Sequence, residues 1–471
     1  MFFWCKIQPA VKASIAFFVA GLFTKGIAYF VTPIYTRLLT PEDYGVTSVF
    51  LTWLEIFGII AMFCLSYGVF NNGMVDYPKK RNEYSFSMLV LSNVITIIFS
   101  LILLAFYPYV KFFVNLDVSF ILLMCSFFIF FPAYRFWTAR QRYEYKYKSV
   151  FCWTIFLALL SPAVAITSIL IFDTNKLYAR IFGAEVPMII AYMGFYVYLI
   201  FKARAKLNVK FWKGAILFNI PLIPHYLSSY MLGSSDKIMI SYLIGSRATA
   251  FYSVAYSVAA VVTIVWSAAN ASLVPFTYEN MKRKQYSPIS NVAMFILYVF
   301  CVCCFLIILF APELVRIMAT KEYYEAIYVI PPVVGGVFFQ VQYYIYANVL
   351  YYLKKPKYVM IGSVFAMLLN VVLNYIFIPM FGYIAAGFTT LTCYAIQAFI
   401  DYWAMRFVFK ETVYDMKKIC IMSVTMLAVS LVSAYLYDYS VARYVLIGFI
   451  CSIIVLNRKI IYEKIKLMNS K

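Results

Sequence analysis

The chain has 471 residues, 65% hydrophobic and 13% charged, against about 45–50% and about 25% in soluble domains, and a formal net charge of +21. A soluble fold cannot hide that much apolar surface, and the period-two alternation of a β-barrel is absent, so the expected fold class is an all-α polytopic membrane protein. The positive charge lies in short segments between apolar runs rather than in a basic domain, which excludes nucleic-acid binding.

Runs of bilayer-crossing length place about fourteen transmembrane helices at roughly 10–35, 46–70, 84–107, 118–137, 149–172, 178–201, 214–233, 249–275, 288–310, 327–350, 358–378, 383–408, 417–436 and 440–460. Lys6 and Lys12 precede an apolar run that begins at Ala13, in the manner of a signal peptide. That run continues to about Tyr35, too long for a signal's apolar region, so it is read as a span.

An ionisable group inside a span costs about 2.5–3.5 kcal/mol and needs a partner, a wet cavity or a purpose. In chain order, Lys25 falls near the middle of the first span and suits an anionic ligand, with pairing to Glu55 or snorkelling as the structural alternative. Arg37 follows as a cavity cation or a snorkelling anchor. Glu55 in the second span is a candidate ion or proton site. Glu185 in the sixth lies five residues after Arg180, poor spacing for one helical face.

The seventh span, Asn219 to Lys237, is the least regular. Pro221 and Pro224 interrupt it, it holds the single histidine, His225, and it ends on Asp236-Lys237. Proline frees backbone carbonyls, tolerated in a membrane helix only where neighbours or a watery cavity satisfy them, and broken helices mark transporter binding sites. Asp236 and Lys237 are candidate substrate contacts or a surface cap. Cys301-Val-Cys-Cys304 sits in an apolar run without His or carboxylate beside it and reads as small hydrophobes. Asp401 in the twelfth span follows Gln397 by one helical turn and is a further coupling candidate, with an end-of-helix pair to Arg406 as the alternative. Tyrosine pairs such as Tyr323-Tyr324, Tyr343-Tyr344 and Tyr351-Tyr352 suit interfacial belts or packing.

Of forty Lys and Arg, thirty fall on the side of both termini and nine on the other, with Lys25 inside the first span. This places both termini in the cytoplasm. Residues 33–49 align with 238–254 at a constant offset of 205, matching Leu38 with Leu243, Ser48 with Ser253 and Val49 with Val254. The expected organisation is two pseudo-symmetric six-helix lobes, 1–205 and 206–412, and two further helices with a basic tail, 413–471. No phosphate-gripping glycine loop, metal cluster or catalytic triad is present, and no loop can hold a folded catalytic domain. Neither an enzyme nor a cofactor is expected.

Two stretches, Thr36-Arg-Leu-Leu-Thr-Pro-Glu-Asp-Tyr-Gly45 and residues 221–240 beginning Pro-Leu-Ile-Pro-His-Tyr-Leu-Ser-Ser-Tyr, are similar to bacterial polysaccharide-biosynthesis flippases. These are the O-antigen and capsule repeat-unit translocases of the multidrug/oligosaccharidyl-lipid/polysaccharide exporter superfamily. The resemblance implies two six-helix lobes around a central cavity and alternating access. It implies transfer of an undecaprenyl-diphosphate-linked oligosaccharide to the outer leaflet of the inner (cytoplasmic) membrane, for O-antigen, capsule or exopolysaccharide assembly. It makes Lys25, Arg37 and His225 candidate contacts for diphosphate or glycan. Implied partners are the lipid-linked glycan, the bilayer, an H+ or Na+ coupling ion, and a polysaccharide polymerase with glycosyltransferases. Fourteen spans also resemble peptidoglycan-precursor flippases, and a cation-coupled multidrug exporter is the alternative within the superfamily.

Overall fold

The computed structural model describes residues 9–456 and Arg458, apart from Tyr145, Arg204 and Ala205. Lys6, the basic tail beyond Arg458 and the expected boundary at 205 therefore lie outside the described residues. Every regular element among them is helical. The chain divides into two compact units, the first ending at Ala250 and the second beginning at Phe251.

The first unit contains α1 (Pro9–Leu38), α2 (Pro41–Ala61), α3 (Gly68–Asp76), α4 (Arg81–Ala105), α5 (Tyr107–Val114), α6 (Val118–Tyr143), α7 (Tyr147–Ile171), α8 (Lys176–Ala203), α9 (Lys210–Asn219), α10 (Ile223–Leu243) and the start of α11 (Ser246–Lys282). Two clusters form its interior. Phe50, Phe120, Ile121, Met124 and Phe128 gather α2 and α6, while Phe70, Met88, Phe136 and Trp137 gather α3, α4 and α6. Rows such as Ile97, Ile98, Leu101 and Ile102 on α4 remain exposed, as lipid-facing residues do once every backbone group is satisfied within its own helix.

Two helix junctions lie 205 residues apart. α1 ends at Leu38 and α10 at Leu243; α2 begins at Pro41 and α11 at Ser246. The equivalent residues Glu42 and Arg247 face each other at 3.5 Å, 205 positions apart. Local chemistry fixes the α2 start: Asp43 N–H donates to the Thr40 hydroxyl at 3.1 Å, proline stands at the first helical position, and Glu42 and Asp43 complement the dipole.

The second unit contains the rest of α11, then α12 (Tyr286–Leu309), α13 (Ala311–Met318), a 3-10 turn (Lys321–Tyr328), α14 (Ile330–Tyr352), α15 (Pro356–Phe381), α16 (Ile384–Phe409), α17 (Met416–Val432) and α18 (Ser440–Leu456). α14 is buried along most of its length and packs against α16, α12 and α17. The last two helices are thus built into this unit rather than appended to it. Arg443 of α18, 3% exposed, makes two bonds to Glu313 of α13 at 2.6 and 2.8 Å.

Among the described residues, eleven helices are long and apolar enough to cross a membrane. A twelfth arises if the 3-10 turn and α14, bent by 50°, count as one span. The remaining two of the fourteen expected spans have physical reasons for falling outside that count. The seventh is divided into α9 and α10 and carries polar residues, and α18 has 17 residues.

Candidate functional site

Two helix breaks meet in the first unit. The expected span 46–70 is not continuous: α2 stops at Ala61, and Met62–Tyr67 turns through Phe63 and Cys64, both with positive φ (54° and 51°), before α3 begins. No proline lies in this break. The second break, Ile220–Leu222, is where Pro221 and Pro224 predict one.

The freed carbonyls are satisfied from neighbouring helices, as a low-dielectric environment demands. Thr96 of α4 donates its hydroxyl to Ala61 O at 3.0 Å. Asn219, fully buried at the end of α9, donates Nδ2 to Phe63 O at 3.1 Å, tying one break to the other. Its Oδ1 has no protein partner.

Aromatic rings line the junction. Tyr67 stacks on Tyr226 with centroids 4.9 Å apart and planes at 23°, and the His225 ring lies 5.7 Å from Tyr226. Above Tyr67 sits the Arg135 guanidinium of α6, 5.1 Å from that ring and 5.6 Å from Phe131, with Nε reaching the Ser66 hydroxyl at 3.5 Å. Arg135 is half-buried and has no carboxylate in ion-pair contact among the described residues. Glu55, exposed on α2, is within its electrostatic reach without forming an ion pair. A half-buried guanidinium over aromatic rings offers a planar fork of donors to oxyanions, and the neighbouring tyrosines offer faces to sugars.

Of the expected site residues, the structure places His225, half-buried in the first turn of α10, at this junction. Lys25 is exposed on α1, and Arg37 donates Nη1 to Pro33 O at 2.7 Å, anchoring its own helix end. Glu185 is buried on α8; Arg180 does not pair with it but lies 4.0 Å over the Tyr35 ring. Asp236 and Lys237 do not cap a helix end: both lie inside α10, Asp236 fully buried and Lys237 half-buried. Asp401 belongs to the second unit and is fully buried on α16. Arg406 does not pair with it, donating instead to Lys410 O at 2.8 Å.

Sequence reasoning assigns Arg135 to the cytoplasmic basic set. The available signal is its place inside the expected span 118–137, and α6 in fact continues to Tyr143. Nothing local signals the break after Ala61 or the role of Asn219. A buried polar ladder in the second unit is also missed. There Asn370 donates to Thr390 at 2.9 Å, Asn374 to Asn370 at 3.1 Å and Thr389 to Asn374.

Comparison with known proteins places these features. The family described as Polysaccharide biosynthesis protein matches residues 10–281, and the MatE family matches 221–376. A protein of the Lsg locus of Haemophilus influenzae is 24% identical over 282 residues, spanning 58% of this chain and 67% of its own. An uncharacterized membrane protein of Methanocaldococcus jannaschii is 22% identical over 95% of this chain and 93% of its own. In fold, the chain resembles the inward closed lipid II flippase MurJ, with a TM-score of 0.67 at 16% identity over 96% of this chain and all of that one. It also resembles an inward-facing MATE-family multidrug resistance transporter, with a TM-score of 0.62 at 12% identity over 86% of this chain and 98% of that one.

Proposed function

The chain belongs to the polysaccharide biosynthesis protein family, and from that premise we propose that it is a flippase for an oligosaccharide carried on undecaprenyl diphosphate. It moves this substrate from the inner to the outer leaflet of the cytoplasmic membrane. The observation that carries the reading is Arg135, a half-buried cation held between Tyr67 and Phe131 with no carboxylate in ion-pair contact among the described residues.

The physical difficulty of flipping is to carry a hydrated glycan and a diphosphate through about 30 Å of hydrocarbon. A polar cavity, in this reading, replaces their water while the polyprenyl tail remains in lipid. In this reading Arg135, Lys25 and Arg37 meet the oxyanions, and His225, Tyr226 and Tyr67 meet the sugar. Asp236 and Lys237 supply further polar contacts. Glu55, Glu185 or Asp401 carries the coupling H+ or Na+, and both termini face the cytoplasm. Lipid-linked glycan arrives from glycosyltransferases and leaves to a polysaccharide polymerase for O-antigen, capsule or exopolysaccharide. No covalent bond is made or broken.

The MatE match over 221–376 favours a second reading, a cation-coupled multidrug exporter. Deleting the gene and complementing it with wild type, Arg135→Ala, Lys25→Ala or His225→Ala distinguishes the two. The flippase reading expects surface glycan to disappear and the lipid-linked intermediate to collect on the inner leaflet, with Arg135→Ala reproducing the defect at normal protein level. Unchanged glycan with raised drug sensitivity overturns it.

A further inference from the structure

In the second unit, α15 and α16 pack along each other, and polar groups along their contact differ in one respect. In the Asn370–Asn374–Thr389–Thr390 ladder, donors meet acceptors. At the other end, Oδ1 and Oδ2 of Asp401 and Oε1 of Gln397 are buried with no partner. Asp401 and Gln397 are 0% and 1% exposed and one turn apart on α16, so they share a face.

Buried acceptors without a donor are costly, and an ionised carboxylate in an apolar interior far more so. An acceptor cannot bond another acceptor unless something positive comes between them. The backbone of α15 lies close against the site, since an ideal Cβ on Gly362 would fall 3.0 Å from Asp401 Oδ1. Three oxygens fall short of the six or more ligands that hard cations such as Ca2+ and Mg2+ take. A protonated carboxyl, by contrast, becomes a donor and needs a single acceptor, which Gln397 Oε1 can supply.

We propose that Asp401 holds a proton between α15 and α16, handed to Gln397 Oε1 as a hydrogen bond, and that releasing and rebinding this proton couples the second unit to the transport cycle. The coupling role rests on the flippase reading; the proton site itself does not.

The titratable groups that the packed helices bring to this level are engaged elsewhere. On α14, the Tyr343 ring lies 4.3 Å from that of Tyr344, and Tyr346 lies 5.6 Å from Tyr402 with its hydroxyl turned to Met416. On α15, Lys357 lies over Tyr358, which meets Phe407. On α16, Tyr394 accepts from Gln340 at 3.0 Å, and Arg406 is bound to Lys410 O. Asp401 is therefore the carboxyl that a proton at this level would occupy.

Infrared spectroscopy of the purified protein in phosphatidylglycerol–phosphatidylethanolamine vesicles at neutral pH tests the site. The expected result is a carboxylic-acid carbonyl band that vanishes in Asp401→Asn and shifts in Gln397→Leu. A spectrum in which Asp401→Asn removes no such band overturns the proposal. A band that appears only when sodium is replaced by choline overturns it in favour of sodium. For coupling, Asp401→Asn mimics the protonated form and cannot release it, so surface glycan in the complemented deletion strain should fall at least tenfold at wild-type thermal stability, with Asp401→Glu restoring part of it. Full complementation by Asp401→Asn overturns the coupling role. If deletion itself leaves surface glycan intact, the flippase reading fails while the infrared result still decides the proton site.

Discussion

At Gly45 the first-loop stretch leaves no room for a side chain: an ideal Cβ would sit 1.9 Å from the backbone oxygen of Ser246. The obstacle is backbone within a repeated helix junction and cannot swing aside. Gly45→Ala is therefore expected to cost more than the roughly 1–3 kcal/mol of ordinary overpacking, read as loss of monodisperse protein in detergent, whereas Gly194→Ala, with open space around it, should leave the elution profile unchanged. Charge at the end of α6 follows the same local logic. Partial burial works against the Glu144 carboxylate, but hydrogen bonds from Lys146 (2.6 Å) and Arg140 (2.9 Å) outweigh it and hold its pKa down at about 2. A depressed carboxyl contributes stability that is present above its unfolded value of about 4.3 and lost as pH falls toward the folded one. Glu144→Gln should thus lower thermal stability slightly at pH 7, by about 0.5–1 kcal/mol. The difference from wild type should shrink between about pH 4 and pH 2; a gap that persists at the acid end argues against the pairing.

Helices here are defined as much by what interrupts or clamps them as by hydropathy. The break at Ile220–Leu222 is legible because prolines announce it. The break after Ala61 is not, because it is held by Thr96 and Asn219 from elements 35 and 156 residues away. α18 is short, yet Arg443 fixes it: two bonds to Glu313, one to Leu309 O at 3.1 Å, and Tyr444 donating to the same carboxylate at 2.6 Å. Removing one partner of a buried pair strands the other, at about 3–5 kcal/mol. With Glu313 a quarter exposed, Arg443→Leu should fall near the lower figure and Arg443→Leu/Glu313→Leu should recover part of the loss. Thermal unfolding of the three variants checks this, and equal destabilisation by single and double variants would refute the clamp.

For the whole chain, the thirty-to-nine division of Lys and Arg makes a prediction that packing alone does not. In a version lacking the ten native cysteines, Lys79→Cys and Lys284→Cys should resist a membrane-impermeant maleimide in intact cells, while Lys111→Cys and Lys321→Cys should react. All four positions are exposed, so the pattern reports the side of the membrane rather than burial. Reaction at Lys79→Cys would invert the topology, and with it the direction of transfer.

Hydropathy, charge asymmetry and the 205-residue repeat are properties of the chain in order, and each acts locally against lipid or water. Together with Pro221 and Pro224 and the two stretches, 36–45 and 221–240, that carry the family resemblance, they were enough to determine an all-α membrane protein, its approximate spans, the broken seventh helix and the family. Which polar groups meet is a different kind of fact, set by helices far apart in sequence. Only the tertiary structure put Arg135 over Tyr67, joined Asn219 to Phe63, buried Asp236 within α10 and left both Asp401 oxygens and Gln397 Oε1 buried without a hydrogen-bond partner. In a low-dielectric interior a polar group's role depends on its partner, and the partner is chosen by packing rather than by sequence neighbours.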